Sequence, residues 1–219
     1  MYQEIKIKNN NLVLKGHISF SKNSKAWVIF AHGSGSSRMS PRNNWVAKNL
    51  NHHGYATLLF DLLTTEEDEF FENRFDIELL SRRLLMATDW LIQSEYYHSL
   101  PIAYFGASTG SAAAIVAGSK ISSRVPLFTI ISRGGRPDLA KEEILRKIKI
   151  PVLLIVGSLD DEVIRLNELA QNELTNSKIS LVPGATHLFE EPGKLEEVVN
   201  LSHIWLDQHL PIEREQTWQ

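Results

Sequence analysis

The chain has 219 residues, 43% of them hydrophobic and 22% charged, an ordinary globular composition whose length suits a single domain over residues 1–219. A formal net charge of −3, from 23 basic and 26 acidic residues, gives no general attraction to nucleic acid or to an anionic membrane. The absence of cysteine excludes disulfides, a thiolate metal site and a cysteine nucleophile.

Residues 1–8 have no apolar stretch, so no secretory signal is expected. Apolar runs such as 150–156 are too short to span a bilayer. Together with the lack of cysteine, this gives the expectation of a cytoplasmic location. Apolar residues alternate at Ile5 and Ile7, and again at Leu12, Leu14, Ile18 and Phe20, with Asn9, Asn10 and Asn11 between. That pattern predicts a hairpin with a polar turn. Short apolar strands are predicted at 27–31, 56–60, 102–105, 127–131, 152–156 and 179–182. Between them Ile77, Leu80, Leu84, Thr88 and Leu91 recur at helical spacing. So do Val163, Leu166, Ala170 and Leu174, and Leu195, Val199, Ser202 and Trp205. Strands alternating with helices predict an α/β fold: a mostly parallel twisted sheet, the hairpin antiparallel at one edge, helices on both faces. The acidic stretch 64–73, with Phe70 and Phe71, reads as an exposed loop or short helix, and no segment is long enough for a large cap domain.

The strongest chemical signal is Gly106-Ala107-Ser108-Thr109-Gly110, set between an apolar strand and a small-residue helix. Chance would give about 0.05 such G-x-S-x-G matches in a chain this long, and the strand–turn–helix context is the one a nucleophilic serine requires. A tight turn projects the hydroxyl clear of the backbone, while the following helix aims free N–H groups at a developing oxyanion. Directly after the strand at 27–31 comes His32-Gly33-Ser34-Gly35. This loop can pair the N–H of Ser34 with that of Thr109 as an oxyanion hole. The alternatives are a plain turn or a phosphate-binding loop, the latter disfavoured because no Gly-Lys-Ser/Thr follows, and His32 reads as a structural turn residue.

Asp160 and Asp161 follow the strand at 152–156, where an acid that orients a histidine belongs. Asp161 is also a candidate helix cap, and Asp138 is a weaker rival for the acid. His187 follows the last strand and completes the chain order Ser, Asp, His; His17, His52, His53, His203 and His209 fall in the hairpin or on helices. Arg38, Arg133 and Arg136 lie in loops at the same end of the sheet. Arg133 or Arg38 is a candidate for a substrate carboxylate, the alternative being ion pairs with the acidic loop at 66–69. Met39, Phe70 and Phe71 are candidates for an acyl pocket.

These motifs together resemble the α/β-hydrolase superfamily, and within it the dienelactone-hydrolase-like group. The resemblance runs through F-A-H-G-S-G-S-S-R (30–38), L-L-F-D-L-L-T (58–64), F-G-A-S-T-G-S-A-A-A (105–114), I-S-R-G-G-R-P-D-L-A (131–140), G-S-L-D-D-E-V-I-R-L-N (157–167) and P-G-A-T-H-L-F-E-E-P-G (183–193). It covers nearly the whole chain. It implies a triad of Ser108, Asp160 and His187, favouring Asp160 over Asp161, with Ser34 in the oxyanion loop. Dienelactone hydrolases themselves use a cysteine nucleophile, so the resemblance implies a serine esterase-like variant. The expected activity is cleavage of a small ester, lactone or thioester through an acyl-enzyme, with no cofactor or metal and with a small-molecule partner. An acyltransferase or thioesterase with the same triad, and a non-catalytic binding protein on the same fold, remain as alternatives; a nucleotide-binding protein lacks the G-x-G-x-x-G fingerprint.

Overall fold

The structure is a computed structural model and describes residues 1–211. One eight-stranded sheet runs through it in the order β1-β2-β4-β3-β5-β6-β7-β8. The strands are β1 (Tyr2–Asn9), β2 (Leu12–Ser19), β3 (Trp27–Ala31), β4 (Ala56–Phe60), β5 (Ile102–Ala107), β6 (Leu127–Arg133), β7 (Val152–Gly157) and β8 (Ser177–Val182). The first two form the expected antiparallel hairpin, and β2 pairs antiparallel with β4. From β4 to β8 every pairing is parallel. The C-terminal ends of these strands therefore share one edge of the sheet, and their connecting loops can meet there.

The helices are α1 (Pro41–His52), α2 (Thr65–Asp68), α3 (Ile77–Gln93), α4 (Thr109–Lys120), α5 (Glu142–Leu145), α6 (Asp161–Glu173) and α7 (Lys194–His209). Alternating strand residues divide the core between the two faces. Trp27 and Ile29 pack with Leu84 of α3 and Ile115 of α4. Val28 and Phe30 pack with Val46 of α1 and Leu206 of α7. Burial on both faces explains why β3 and β4 are uninterrupted apolar runs rather than alternating ones. Each fully buried side chain of this kind contributes roughly 1.5–3 kcal/mol.

The acidic stretch after β4 forms α2 and a 3₁₀ turn at Phe71–Phe75. Thr64 closes a capping box with Glu67, which ties the first turn of so short a helix. Phe70 and Phe71 stay more than half exposed. The segment is a short decoration on the sheet edge, not a cap. No described helix is long and apolar enough to cross a membrane.

Candidate active site

The sharp turn between β5 and α4 places Ser108 at φ 51°, ψ −123°, a region that costs a non-glycine residue about 1–3 kcal/mol and persists only where neighbours enforce it. Three backbone bonds enforce it here. The Ser108 N–H donates to the Arg133 carbonyl at 3.2 Å, and the Ser108 carbonyl accepts from Ser111 and Arg136 at 3.0 and 3.1 Å. Glycine is required on both sides. A Cβ on Gly106 would lie 2.5 Å from the Ser111 Cα, and one on Gly110 would lie 2.1 Å from the Ala31 carbonyl oxygen. Beneath the turn, the Ser111 hydroxyl donates to Ser132 Oγ at 2.7 Å, and Asn167 donates to the Gly135 carbonyl at 2.9 Å. These buried polar contacts lock β6 to α4 and α6 to the loop after β6.

Asp160 and His187 stand on two loops that are forced together. Gly157 ends β7 so close to the last loop that a Cβ would meet the Ala185 carbonyl at 2.4 Å. Leu159 N–H donates to that same carbonyl at 3.0 Å, and the Gly184 N–H to Ser158 Oγ at 2.8 Å. Phe189, fully buried at φ 57°, anchors the far side of the loop. The result is a 2.7 Å contact in which His187 Nδ1–H donates to Asp160 Oδ2, the second partner that fixes an imidazole's tautomer and orientation. Asp160 occupies the N-cap position of α6 yet caps nothing. Its carboxylate is turned to the histidine, while Asp161 opens the helix. Asp138 is bound in a two-point ion pair to Arg136 at 2.8 and 2.9 Å.

Ser108, Asp160 and His187 thus lie on neighbouring loops at one edge of the sheet. A Cβ on Gly134, the residue after Arg133, would lie 3.7 Å from His187 Cε1, and Arg133 is the backbone partner of Ser108. Among the described residues, the Ser108 hydroxyl has no hydrogen-bond partner, so its bond to the imidazole is not formed in this conformation; such contacts often tighten only when substrate is bound.

The loop after β3 touches the same turn: a Cβ on Gly33 would lie 3.0 Å from that of Ser108. Its Ser34 N–H is not free as expected but donates to Thr109 Oγ1 at 2.8 Å. The threonine hydroxyl reaches back across the turn and takes the amide that an oxyanion would use. His32 braces the loop. Its Nδ1–H donates to the Gly33 carbonyl at 2.9 Å and its Nε2 accepts from the Leu62 N–H at 3.0 Å. Burial holds its pKa below the usual histidine value, against a smaller opposing contribution from the Gly33 carbonyl. His32 is structural, as expected.

The arginines separate clearly. Arg38 is paired with an acid of the sheet edge. Its guanidinium and backbone N–H both bind Asp61, at 2.7 and 2.8 Å. Nor does it pair with the acidic loop, whose Glu67 and Asp68 take Arg83 and Arg74 instead. Arg133 pairs with no acid among the described residues. It is 7% exposed, and its Nε and Nη1 lack partners among the described residues. Burial first, then the like charge of Arg42, push its pKa down to about 10. Arg42, which no sequence motif singles out, sits in the first turn of α1 and bonds Glu190 beyond His187. A groove of about 570 Å³ lies on the other flank of the β3 loop, lined by His32, Ser36, Arg38, Asp61 and Thr64 among others; Ser108 and His187 do not line it.

A strained serine between strand and helix, an Asp–His pair on the last two loops and a parallel sheet that brings them to one edge define an α/β-hydrolase scaffold. The chain belongs to the alpha/beta hydrolase domain family, whose model matches residues 24–204. Its structure is of the dienelactone-hydrolase-like type. It is similar to a dienelactone hydrolase from Anabaena variabilis, with 44% identity, a TM-score of 0.90 and coverage of 96% of this chain and 99% of that one. At 17% identity the fold alone is shared with Est1E from Butyrivibrio proteoclasticus, at TM-score 0.79 over 94% and 98% of the two chains. In two strains of Mycobacterium tuberculosis, proteins provisionally named phosphoribosyl transferases are 48% identical over 95% of this chain. The chain spans about half, 46%, of the length of those relatives.

Proposed function

We propose that the protein is a serine hydrolase that cleaves a small ester-type bond through an acyl-enzyme on Ser108, acting in the cytoplasm without metal or organic cofactor. His187 takes the serine proton as the hydroxyl attacks the carbonyl, then returns it to the leaving group. Asp160 holds Nδ1–H and stabilises the imidazolium. The N–H groups of Thr109 and Ser34 receive the oxyanion, each commonly contributing around 3 kcal/mol, once the Thr109 hydroxyl turns away from Ser34. The observation that carries this reading is the 2.7 Å His187–Asp160 contact on loops beside a serine held at positive φ. A structural serine would have no reason to hold a strained φ at the strand–helix turn.

The relative from Anabaena variabilis is a dienelactone hydrolase by name, which supports ester or lactone cleavage. The transferase name attaches to relatives about twice as long, and this half carries its own nucleophile, acid and base. The test is a fluorophosphonate probe together with a panel of p-nitrophenyl esters, thioesters and lactones. Labelling and turnover that vanish in Ser108→Ala support the proposal, and labelling that survives the substitution removes it.

A further inference from the structure

The groove of about 570 Å³ on the far flank of the β3 loop has the size of a small-molecule site, which commonly holds about 300–1,000 Å³. The triad side chains do not line it. One wall is the β1–β2 hairpin, where Lys6 and Lys15 stand opposite each other in register. The facing wall is the α2 segment, with Thr65, Glu66 and Asp68. Between the walls lie Arg38 and Asp61, bonded at 2.7 Å, beside Ser36 of the β3 loop. Asp68 is held by Arg74. Lys6, Lys15 and Glu66 are exposed and form no salt bridge among the described residues. The Glu66 carboxyl is held below its usual range by its own backbone N–H first, then by Thr64 and more weakly by Lys15, so the two walls are close enough to act on each other.

The lining carries three cations, Lys6, Lys15 and Arg38, and three carboxylates, Asp61, Glu66 and Asp68. An anion in the groove meets the carboxylates, and a cation meets the lysines, so neither sign gains from the site as a whole. A hydroxyl answers both walls. Its oxygen accepts from an ammonium or guanidinium, and its hydrogen is donated to a carboxylate. Such bonds to ionised groups are roughly twice as strong as neutral ones. Ser36, Thr65 and Asn11 add groups that both donate and accept. Leu12, Val13 and Leu63 give apolar contact for the carbon skeleton between the hydroxyls.

The groove and the candidate active site share one loop. His32, Ser36 and Arg38 face the groove, whereas Gly33 abuts the serine, where a Cβ would lie 3.0 Å from that of Ser108. Ser34 stands between two glycines, and a Cβ on Gly35 would meet nothing within 4 Å. The crossing from the groove to Ser108 is therefore nearly bare of side chains. We infer that the groove binds a neutral polyhydroxyl group, the sugar- or glycerol-like alcohol part of an ester substrate. The binding needs no turnover; only its assignment to a substrate rests on the hydrolase reading. The acyl carbon then lies at Ser108, and the alcohol, which is the leaving group, crosses the Gly33–Gly35 loop into the groove.

The experiment is saturation-transfer-difference NMR on the full chain with methyl β-D-glucopyranoside and glycerol. Succinate and ethylammonium serve as charged comparisons. The two neutral polyols are expected to give the stronger responses, and the better of them names the group. Lys15→Ala and Glu66→Ala, both at exposed positions, are expected to fold as the parent does and each to weaken binding of that polyol about tenfold, the value of one hydrogen bond to a charged group. Lys178→Ala, on β8 and outside the groove, is expected to keep the parent response. No transfer to either polyol overturns the proposal. So does a stronger response from either ion, or a response unchanged in both groove variants. Ser108→Ala is expected to keep the full response, so a failed hydrolase reading and a failed groove give different results. With an active enzyme, kcat/KM for 6-O-acetylglucose or glycerol monoacetate should exceed that for ethyl acetate by about tenfold or more, and the double variant Lys15→Ala/Glu66→Ala should lose that preference. A parent without the preference, or a double variant that keeps it, would remove the substrate from the proposal.

Discussion

Gly110→Ala tests whether the position of Ser108 is set by how closely α4 approaches β3. The added Cβ would lie 2.1 Å from the Ala31 carbonyl oxygen and 2.6 Å from that of His32, where ordinary contacts begin at 3.4 Å. Both obstacles are backbone, in a loop tied down by Gly33, Ser34 and His32, so about 1.3 Å of movement must come from the helix or the loop itself in a close-packed region. Overpacking of this kind costs about 1–3 kcal/mol. The movement falls on the two elements that carry Ser108 and Ser34, and a misplacement near 1 Å costs on the order of 100-fold in rate. Gly118 on the same helix is the control, because a Cβ there meets the flexible end of Ile130 at 2.9 Å. Urea unfolding and p-nitrophenyl acetate turnover, measured side by side, are expected to show Gly110→Ala losing both stability and about two orders of magnitude in kcat. Gly118→Ala should leave turnover unchanged. Parent-like turnover in a folded Gly110→Ala protein would refute the idea that this glycine sets the site.

Asp160→Asn is expected to lower kcat about 10⁴-fold by favouring the wrong imidazole tautomer. It should leave the circular dichroism spectrum intact, since Asp160 caps no helix. Thr109→Val removes the acceptor of the Ser34 N–H at nearly constant shape. It should cost about 1 kcal/mol in urea unfolding without a large loss of kcat, because the freed amide still meets the oxyanion; a 100-fold loss would show that the hydroxyl itself assists the reaction. His32 predicts acid sensitivity. Its folded pKa lies below the unfolded value of about 6.5, so the unfolded chain binds the proton more readily, and its contribution is complete above about pH 6.5 and fades as the pH falls below it, with a limiting slope of about 1.4 kcal/mol per pH unit. His32→Gln keeps an acceptor for the Leu62 N–H but does not titrate, so unfolding free energies between pH 5 and 7.5 should vary less steeply than in the parent; identical slopes would assign the acid sensitivity elsewhere, His17 being the other buried histidine with a lowered pKa.

The strands that could be read directly from sequence are those whose surroundings are uniform. β3 and β4 are buried on both faces and end where their apolar runs end. β8 begins earlier, at Ser177, because an edge strand alternates polar and half-buried residues and blurs its own start. The helix α1 is rich in asparagine and shows little amphipathic pattern; its start is set by Ser40, whose hydroxyl accepts from the Asn43 N–H, ahead of Pro41. The order of Ser108, Asp160 and His187 was legible because each follows a strand whose apolar run is plain. The Thr109–Ser34 bond and the Arg42–Glu190 contact were not, since they join residues 75 and 148 positions apart through loop geometry that no local pattern encodes.

The most informative departure is at the tip of β6. The apolar run stops at Ile131, so a strand read from hydrophobicity stops there too, yet the ladder continues through Ser132 and Arg133 in register with Gly106 and Ala107 of β5. Both residues are buried. Ser132 has a partner in Ser111, so its polarity serves the fold by locking β6 to the helix that follows Ser108. Arg133 has none among the described residues, so hydrogen bonding within the described fold does not account for its polarity as it does for Ser132.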